Sequence, residues 1–256
     1  MGLEMFSLDG KTALVTGASR GIGAAIAPAY AEAGADVALA ARSTADIEEL
    51  AGKIGATGRK AVAITTDVTD PEQVDACVAR ALSELGSIDI LVNNAGGTRF
   101  MAPAVDTRRD GWAKAIRLNL DSVFWFCQST GKHMLERGSG SVINVSSVAG
   151  VSAAPTLSYY AAAKHGVIGL TKTLAVEWGH RTVRANAICP GWVKTDLNKN
   201  LWENEDVARE WVGRQPIQRW GETDDITGAA IWLASDASRY VTGATIIIDG
   251  GQTAGS

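Results

Sequence analysis

The sequence contains few cysteines, and they form no recognisable framework. Cys77, Cys127 and Cys189 are odd in number and far apart, which matches neither a set of disulfides nor a metal-ligand spacing. Unpaired thiols are typical of a reducing compartment. We therefore expect a cytoplasmic protein without a bound metal.

Long hydrophobic runs and clustered basic charge are also missing. No stretch of about eighteen apolar residues and no basic-then-apolar leader is present, so we expect neither a membrane span nor secretion. The net charge is −4, with lysines and arginines scattered along the chain. This balance argues against nucleic acid as the main partner.

What the sequence does contain is an alternation of short apolar runs and helical patterns, which predict strands buried on both faces and the helices that cover them. The predicted strands are 12–17, 36–41, 61–65, 88–93, 141–146, 183–188 and 244–248; the predicted helices are an alanine-rich one ending at Gly34, then 46–54, 71–85, 111–137, 156–178 and 224–234. This order predicts one doubly wound α/β Rossmann fold with about seven parallel strands, as a single dinucleotide-binding domain over residues 1–256.

A glycine-rich turn follows the first predicted strand. It reads Thr16-Gly17-Ala-Ser-Arg-Gly21-Ile-Gly23 and opens the first helix. Glycines in this position allow a tight turn and close approach of the backbone to a ligand, and the N–H groups at the start of the helix favour a pyrophosphate. Glycine-rich turns occur in many α/β proteins, but a strand before and a helix after favour a dinucleotide.

A second candidate site lies in the stretch from Ser147 to Lys164. If the residues after Pro155 are helical, Tyr160 and Lys164 stand four residues apart on one helix face. An ammonium beside a phenol favours the ionised phenol, which suits acid–base chemistry. Tyr159 lacks such a partner, because Ala163 stands four residues after it.

These motifs, in order and spacing, resemble the short-chain dehydrogenase/reductase family over nearly the whole chain. The matching positions are the glycine turn, Asn93-Asn-Ala-Gly96, Asn119, Ser147, Tyr160-x-x-x-Lys164 and Pro190-Gly191. The resemblance implies an enzyme that transfers a hydride between a nicotinamide cofactor and a ketone or secondary alcohol.

The resemblance also implies the catalytic roles. Tyr160 is the general acid/base, Ser147 hydrogen-bonds the substrate oxygen, Lys164 holds the nicotinamide ribose and lowers the pKa of the tyrosine, and Asn119 supports a water relay. Ser146 competes for the serine role, but neighbours in a strand face opposite ways and the thirteen-residue spacing to Tyr160 favours Ser147.

Further positions are expected to bind the cofactor. Asp67 resembles the acceptor of the adenine amino group, with helix capping near Pro71 as the alternative, and Asn93 is expected to brace the sheet as well. The full expected set is Gly17, Ser19, Arg20, Gly21, Ile22, Gly23, Arg42, Asp67, Val68, Asn93, Ala95, Gly96, Tyr160, Lys164, Pro190, Gly191, Val193 and Thr195.

The second strand ends without the carboxylate that NAD-binding chains of this kind carry. Ala41 stands there, followed by Arg42, and Arg20 lies in the glycine turn. Two guanidiniums and no carboxylate suit the 2′-phosphate of NADP(H), although both could instead stack on adenine or face solvent. We expect NADP(H) to be preferred over NAD(H).

Substrate choice is expected to depend on the segments 97–101, 148–158 and 192–220, the last as a lid. The chain resembles both bacterial 3-oxoacyl-acyl-carrier-protein reductases and gluconate 5-dehydrogenase-like members, so a 3-oxoacyl thioester and a sugar acid or polyol both stay open. A catalytically silent dinucleotide sensor or scaffold is a third alternative. The resemblance further implies a homotetramer built through 111–137, 156–178 and the C-terminal strand.

Overall fold

The seven strands form one parallel sheet in the order β3-β2-β1-β4-β5-β6-β7. The computed structural model describes residues 2–213 and 215–255, with Val207 described by its backbone only. The strands are β1 Thr12–Thr16, β2 Asp36–Ala41, β3 Ala61–Thr65, β4 Ile90–Asn93, β5 Gly140–Val145, β6 Val183–Pro190 and β7 Thr245–Ile248. The predicted fold class is confirmed, and the order reverses between β1 and β4.

Nine helices are described in these residues. They are α1 Gly21–Glu32, α2 Thr44–Gly55, α3 Pro71–Leu85, α4 Arg109–Ile116, α5 Ser122–Arg137, α6 Ser158–Trp178, α7 Lys199–Trp202, α8 Glu205–Val212 and α9 Asp224–Ala234. The predicted bounds of α3 agree with the structure, because Asp70 accepts from the N–H groups of Glu72 and Gln73 and Pro71 occupies the first turn. None of the described helices combines the length and apolar character needed to cross a bilayer.

Strand alternation divides the core into two layers. Ala13 and Val15 of β1 face a layer with residues of α1, α2 and α9, whereas Leu14 faces a layer with residues of α3, α5 and α6. Successive side chains of a strand point to opposite faces, so a sheet covered on both sides needs apolar residues throughout. Tyr30 of α1 ties the first layer together, since its buried hydroxyl donates to the Ala230 carbonyl at 3.0 Å.

Two predicted helices differ from the structure. The expected helix 111–137 is divided into α4 and α5 by a π-helical turn, Arg117–Asp121. The expected helix 156–178 begins at Ser158, because Thr156 adopts a left-handed backbone with φ +65°. The predicted lid, 192–220, contains α7 and α8, and Arg214 within it lies outside the described residues.

Candidate active site

A cavity of about 740 Å³ opens at the carboxyl ends of the strands, where the strand order reverses. Parallel sheets bind ligands at this point because the loops after neighbouring strands diverge there. The expected site residues that line the cavity are Gly17, Ser19, Arg20, Gly21, Ile22, Arg42, Asp67, Val68, Ala95, Gly96, Ser147, Tyr160, Lys164, Pro190, Gly191, Val193 and Thr195. One cavity therefore brings together segments from both halves of the chain.

The glycine turn lines this cavity. Gly17 has φ +66°, and a Cβ there would stand 2.9 Å from the Cα of Ala95, so the position requires glycine. Arg20 precedes α1 in an extended conformation without a side-chain cap. The first N–H groups of α1 therefore have no capping side chain, which fits the binding of a pyrophosphate.

Asn94 holds the turn from the neighbouring strand. Its amide donates to the carbonyls of Thr16 and Gly17, at 3.0 and 3.2 Å. The expected cofactor residue Asn93 does not line the cavity; its amide donates to Asn144 Oδ1 at 2.9 Å and to the Cys127 sulfur. Strand alternation could have shown this, since Asn93 shares the parity of Leu91, which faces the layer of α3, α5 and α6.

Asp67 lies at the end of the cavity bounded by β2 and β3. One carboxylate oxygen accepts from the N–H and the hydroxyl of Thr69, which hold the pKa of Asp67 below its usual range, and the charges of Arg42 and Arg99 act in the same direction. The alternative role as cap of α3 is wrong, because Asp70 caps that helix. Asp67 therefore keeps a carboxylate oxygen available to a ligand.

Arg20 and Arg42 line the same cavity as Asp67. Ser43 and Asp46, from the start of α2, line it as well and were not anticipated from the sequence. The last residue of β2 is Ala41, but a carboxylate, Asp46, follows in the first turn of α2. Arg20 and Arg42 therefore line the cavity together with the carboxylates of Asp46 and Asp67.

Ser147, Tyr160 and Lys164 meet on the opposite side. The Lys164 ammonium lies 5.6 Å from the centre of the Tyr160 ring and donates to the Val145 carbonyl at 2.8 Å. The Ser147 hydroxyl accepts from the Ala149 N–H at 3.1 Å, and its proximity to the Tyr160 phenol favours the phenolate and so acts to lower the pKa of Tyr160. The Ser146 hydroxyl is buried and donates to the Lys164 carbonyl at 2.9 Å, so it fixes α6 against β5.

The pKa values of the pair differ from the expectation. The surrounding protein raises the pKa of Tyr160 to about 12, because burial disfavours the phenolate more than the nearby Ser147 hydroxyl favours it. Burial also lowers the pKa of Lys164 to about 8. The spacing of Tyr160 and Lys164 indicates only the charge of the neighbouring lysine, whereas the desolvation of both groups depends on the fold.

Asn119 lies in the π-helical turn between α4 and α5, and its side chain is fully buried. Its Oδ1 accepts from the Gly97 N–H at 2.8 Å, and its Nδ2 donates to the carbonyls of Gly97 and Ala115. A Cβ on Gly96 would stand 2.8 Å from Asn119 Oδ1 and 3.4 Å from the Lys164 ammonium. Gly96 therefore lies between Asn119 and the cavity, where there is no room for a side chain.

The segment after β6 closes the cavity. The Thr195 methyl group lies beside the glycine turn, 3.3 Å from where a Cβ of Gly21 would be. The Thr195 N–H donates to Asn198 Oδ1 at 3.0 Å. The Val193 carbonyl already accepts from Asn198 Nδ2 at 2.8 Å.

The tryptophans of the predicted lid pack on each other. The Trp192 ring lies 4.3 Å from that of Trp211 and 5.6 Å from that of Trp220. The Trp202 indole donates to the Thr195 carbonyl at 3.0 Å, and that of Trp220 donates to the Ala208 carbonyl. These contacts tie α7 and α8 to the two ends of the segment.

Known proteins resemble this chain over almost its whole length. The family model described as enoyl-(acyl carrier protein) reductase matches residues 17–253. D-threitol dehydrogenase of Mycolicibacterium smegmatis is 42% identical over 250 residues, which cover 97% of this chain and 95% of that protein. A 3-oxoacyl-[acyl-carrier-protein] reductase of Chlamydia trachomatis is 40% identical, covering 96% of this chain and 98% of that one.

A solved structure shows the same fold with ligands. It is a gluconate 5-dehydrogenase from Burkholderia cenocepacia in complex with NADP and tartrate, with a TM-score of 0.94 and 40% identity over 98% of each chain.

Proposed function

The chain belongs to the short-chain dehydrogenase/reductase family, and we propose that it interconverts a secondary alcohol of a polyol or sugar acid with the corresponding ketone. The observation that carries this proposal is the meeting of Ser147, Tyr160 and Lys164 in one cavity with the glycine turn. The relatives that act on D-threitol and gluconate support the substrate class. A 3-oxoacyl thioester is the alternative substrate to be assayed, because a 3-oxoacyl reductase is nearly as similar to this chain.

In the proposed mechanism, nicotinamide supplies or accepts the hydride when it is bound. Tyr160 donates its phenolic proton to the ketone oxygen, and the Ser147 hydroxyl donates a hydrogen bond to the same oxygen, so the two stabilise the developing negative charge. A pKa of about 12 keeps the Tyr160 phenol protonated near neutral pH, which suits reduction. For oxidation, the positive charge of Lys164 and of oxidised nicotinamide favours the phenolate that accepts the alcohol proton.

The residues fit a dinucleotide bound along the cavity. The uncapped start of α1 suits the pyrophosphate, Asp67 the adenine amino group, and Lys164 the nicotinamide ribose. Arg20 and Arg42 support NADP(H) as the preferred form, since arginine binds a phosphate in a fork. Asp46 opposes them, so we propose a preference for NADP(H) rather than exclusion of NAD(H).

We propose that residues 1–256 act as one dinucleotide-binding domain with the segment 192–220 as a substrate lid, and that four copies assemble. Exposed apolar side chains on α4, α5, α6 and β7 support the assembly: Trp112, Phe124, Val176 and Ile247. The three cysteines are buried and unpaired, which supports a cytoplasmic location. Light scattering tests the assembly, and a monomer at micromolar concentration contradicts it.

The function is tested by following absorbance at 340 nm with both dinucleotides against polyols, sugar acids and 3-oxoacyl thioesters. We expect turnover with the first two classes. Tyr160→Phe should lower kcat at least about 100-fold, because it removes the proton donor, while the Kd of the dinucleotide changes little. Tyr30→Phe is the matched control, since it removes a buried hydroxyl that bonds to Ala230 on another face of the sheet. Substantial residual kcat in Tyr160→Phe contradicts the assignment.

A further inference from the structure

Tyr159, the neighbour of Tyr160, is fully buried and faces the chain that follows β4. Its hydroxyl accepts from the N–H groups of Arg99 and Phe100, at 3.2 and 3.3 Å, and donates to the Phe100 carbonyl. A phenolic oxygen has one proton and two acceptor sites, so these three bonds use all of its capacity. Consecutive residues of a helix point about 100° apart, which lets Tyr159 face this segment while Tyr160 faces the cavity.

The same segment, residues 97–102, is held by packing and by a second backbone contact. The Phe100 ring lies 4.4 Å from the Tyr159 ring, and its far edge lies against Gly111 of α4. The Ala102 N–H donates to the Thr156 carbonyl at 2.9 Å. Thr156 has the left-handed φ of +65°, a conformation that costs a β-branched residue free energy and persists where surrounding contacts fix it.

The other end of the 97–102 segment reaches both the site and the lid. The Asn119 side chain accepts from the Gly97 N–H and donates to the Gly97 carbonyl. Gly97 has φ +144°, and a Cβ there would lie 3.1 Å from the Leu197 side chain. Gly97 and Leu197 both line the cavity. The 97–102 segment, called the wall below, therefore meets both the cavity and the lid at Gly97.

We propose that Tyr159 is a positioning residue for the substrate: its hydroxyl fixes the 97–102 segment to the helix that carries Tyr160. This inference rests on the proposed function, because it gives the segment the role of a substrate wall. The hydroxyl fixes two N–H groups and one carbonyl of the wall at once. Its loss leaves three part-buried backbone groups without this partner, so the 97–102 segment moves relative to Tyr160.

The test compares Tyr159→Phe with Tyr30→Phe, each of which removes one buried tyrosine hydroxyl. For Tyr159→Phe we expect KM for the polyol or sugar acid to rise roughly 10-fold while kcat changes less than about 3-fold and the Kd of NADPH is unchanged. Hydrogen exchange at the amides of Arg99 and Phe100 should become faster in the same variant. Tyr30→Phe should change none of these quantities.

The outcomes separate the inference from the proposed function. If the wild type turns over the substrate and Tyr160→Phe does not, the proposed function is upheld, whatever the result for Tyr159→Phe. The inference is overturned if Tyr159→Phe has the same KM and the same amide exchange rates as Tyr30→Phe. If Tyr159→Phe does not fold, hydrogen exchange of the wild type decides: slow exchange at the Arg99 and Phe100 amides, whose N–H groups donate to the Tyr159 hydroxyl, upholds the inference, and exchange as fast as that of unprotected amides overturns it.

Discussion

Lys164 provides the sharpest quantitative prediction, because it combines deep burial with a role in the proposed chemistry. Its side chain is 3% exposed, and burial lowers its pKa to about 8. An unfolded lysine titrates near about 10.4, and each tenfold change in proton affinity corresponds to about 1.4 kcal/mol. The buried charge therefore destabilises the fold by about 3 kcal/mol near neutral pH.

Replacing Lys164 by methionine removes this penalty together with one hydrogen bond. The bond to the Val145 carbonyl contributes about 1 kcal/mol. Near pH 7 we expect Lys164→Met to be more stable than the wild type by about 2 kcal/mol, at the expense of activity.

The pH dependence gives this prediction its sign. The folded pKa of this base lies below its unfolded value, so the penalty is complete below about pH 8 and is relieved as the pH rises towards the unfolded value. Near pH 9.5 the penalty is about 1 kcal/mol and the lost hydrogen bond offsets it. The stability of the variant and of the wild type should then be nearly equal.

The assay is urea unfolding of protein freed of dinucleotide, at fixed protein concentration and at both pH values. Lys172→Met is the control, because Lys172 is an exposed lysine of the same helix. It should change the free energy of unfolding by less than about 0.5 kcal/mol at either pH. A Lys164→Met variant that is less stable near pH 7, or a difference that does not depend on pH, refutes the reasoning.

Two further predictions concern the cofactor and the backbone. The wild type should show a higher kcat/KM with NADPH than with NADH, and Arg42→Ala should lower the NADPH value roughly 10- to 100-fold with little effect on NADH. Arg80→Ala, an exposed arginine paired with Glu84, is the control, and a wild type that prefers NADH contradicts the assignment. Thr182→Gly should raise the free energy of unfolding by about 0.5–1 kcal/mol, because Thr182 is exposed with φ +58°. A lower Tm in Thr182→Gly shows that the left-handed backbone there is not strained.

Local features of the sequence determined most of the fold. The apolar runs predicted every strand within two residues at each end, because a strand covered on both faces must be apolar throughout. The spacing of Tyr160 and Lys164 placed both on one face of α6, since the helical repeat depends only on separation along the chain.

Only the tertiary structure decided which distant groups meet and what that does to them. In the folded chain Asn93 points into the core, whereas Asn94 bonds to the glycine turn. Asp46 lines the cavity, and Tyr159 is buried against a segment some sixty residues away. The tertiary structure also reversed the expected direction of the Tyr160 pKa shift. The physical reason is the same in each case: periodicity is a local property, whereas burial, desolvation and hydrogen-bond partners are set by segments that the fold brings together.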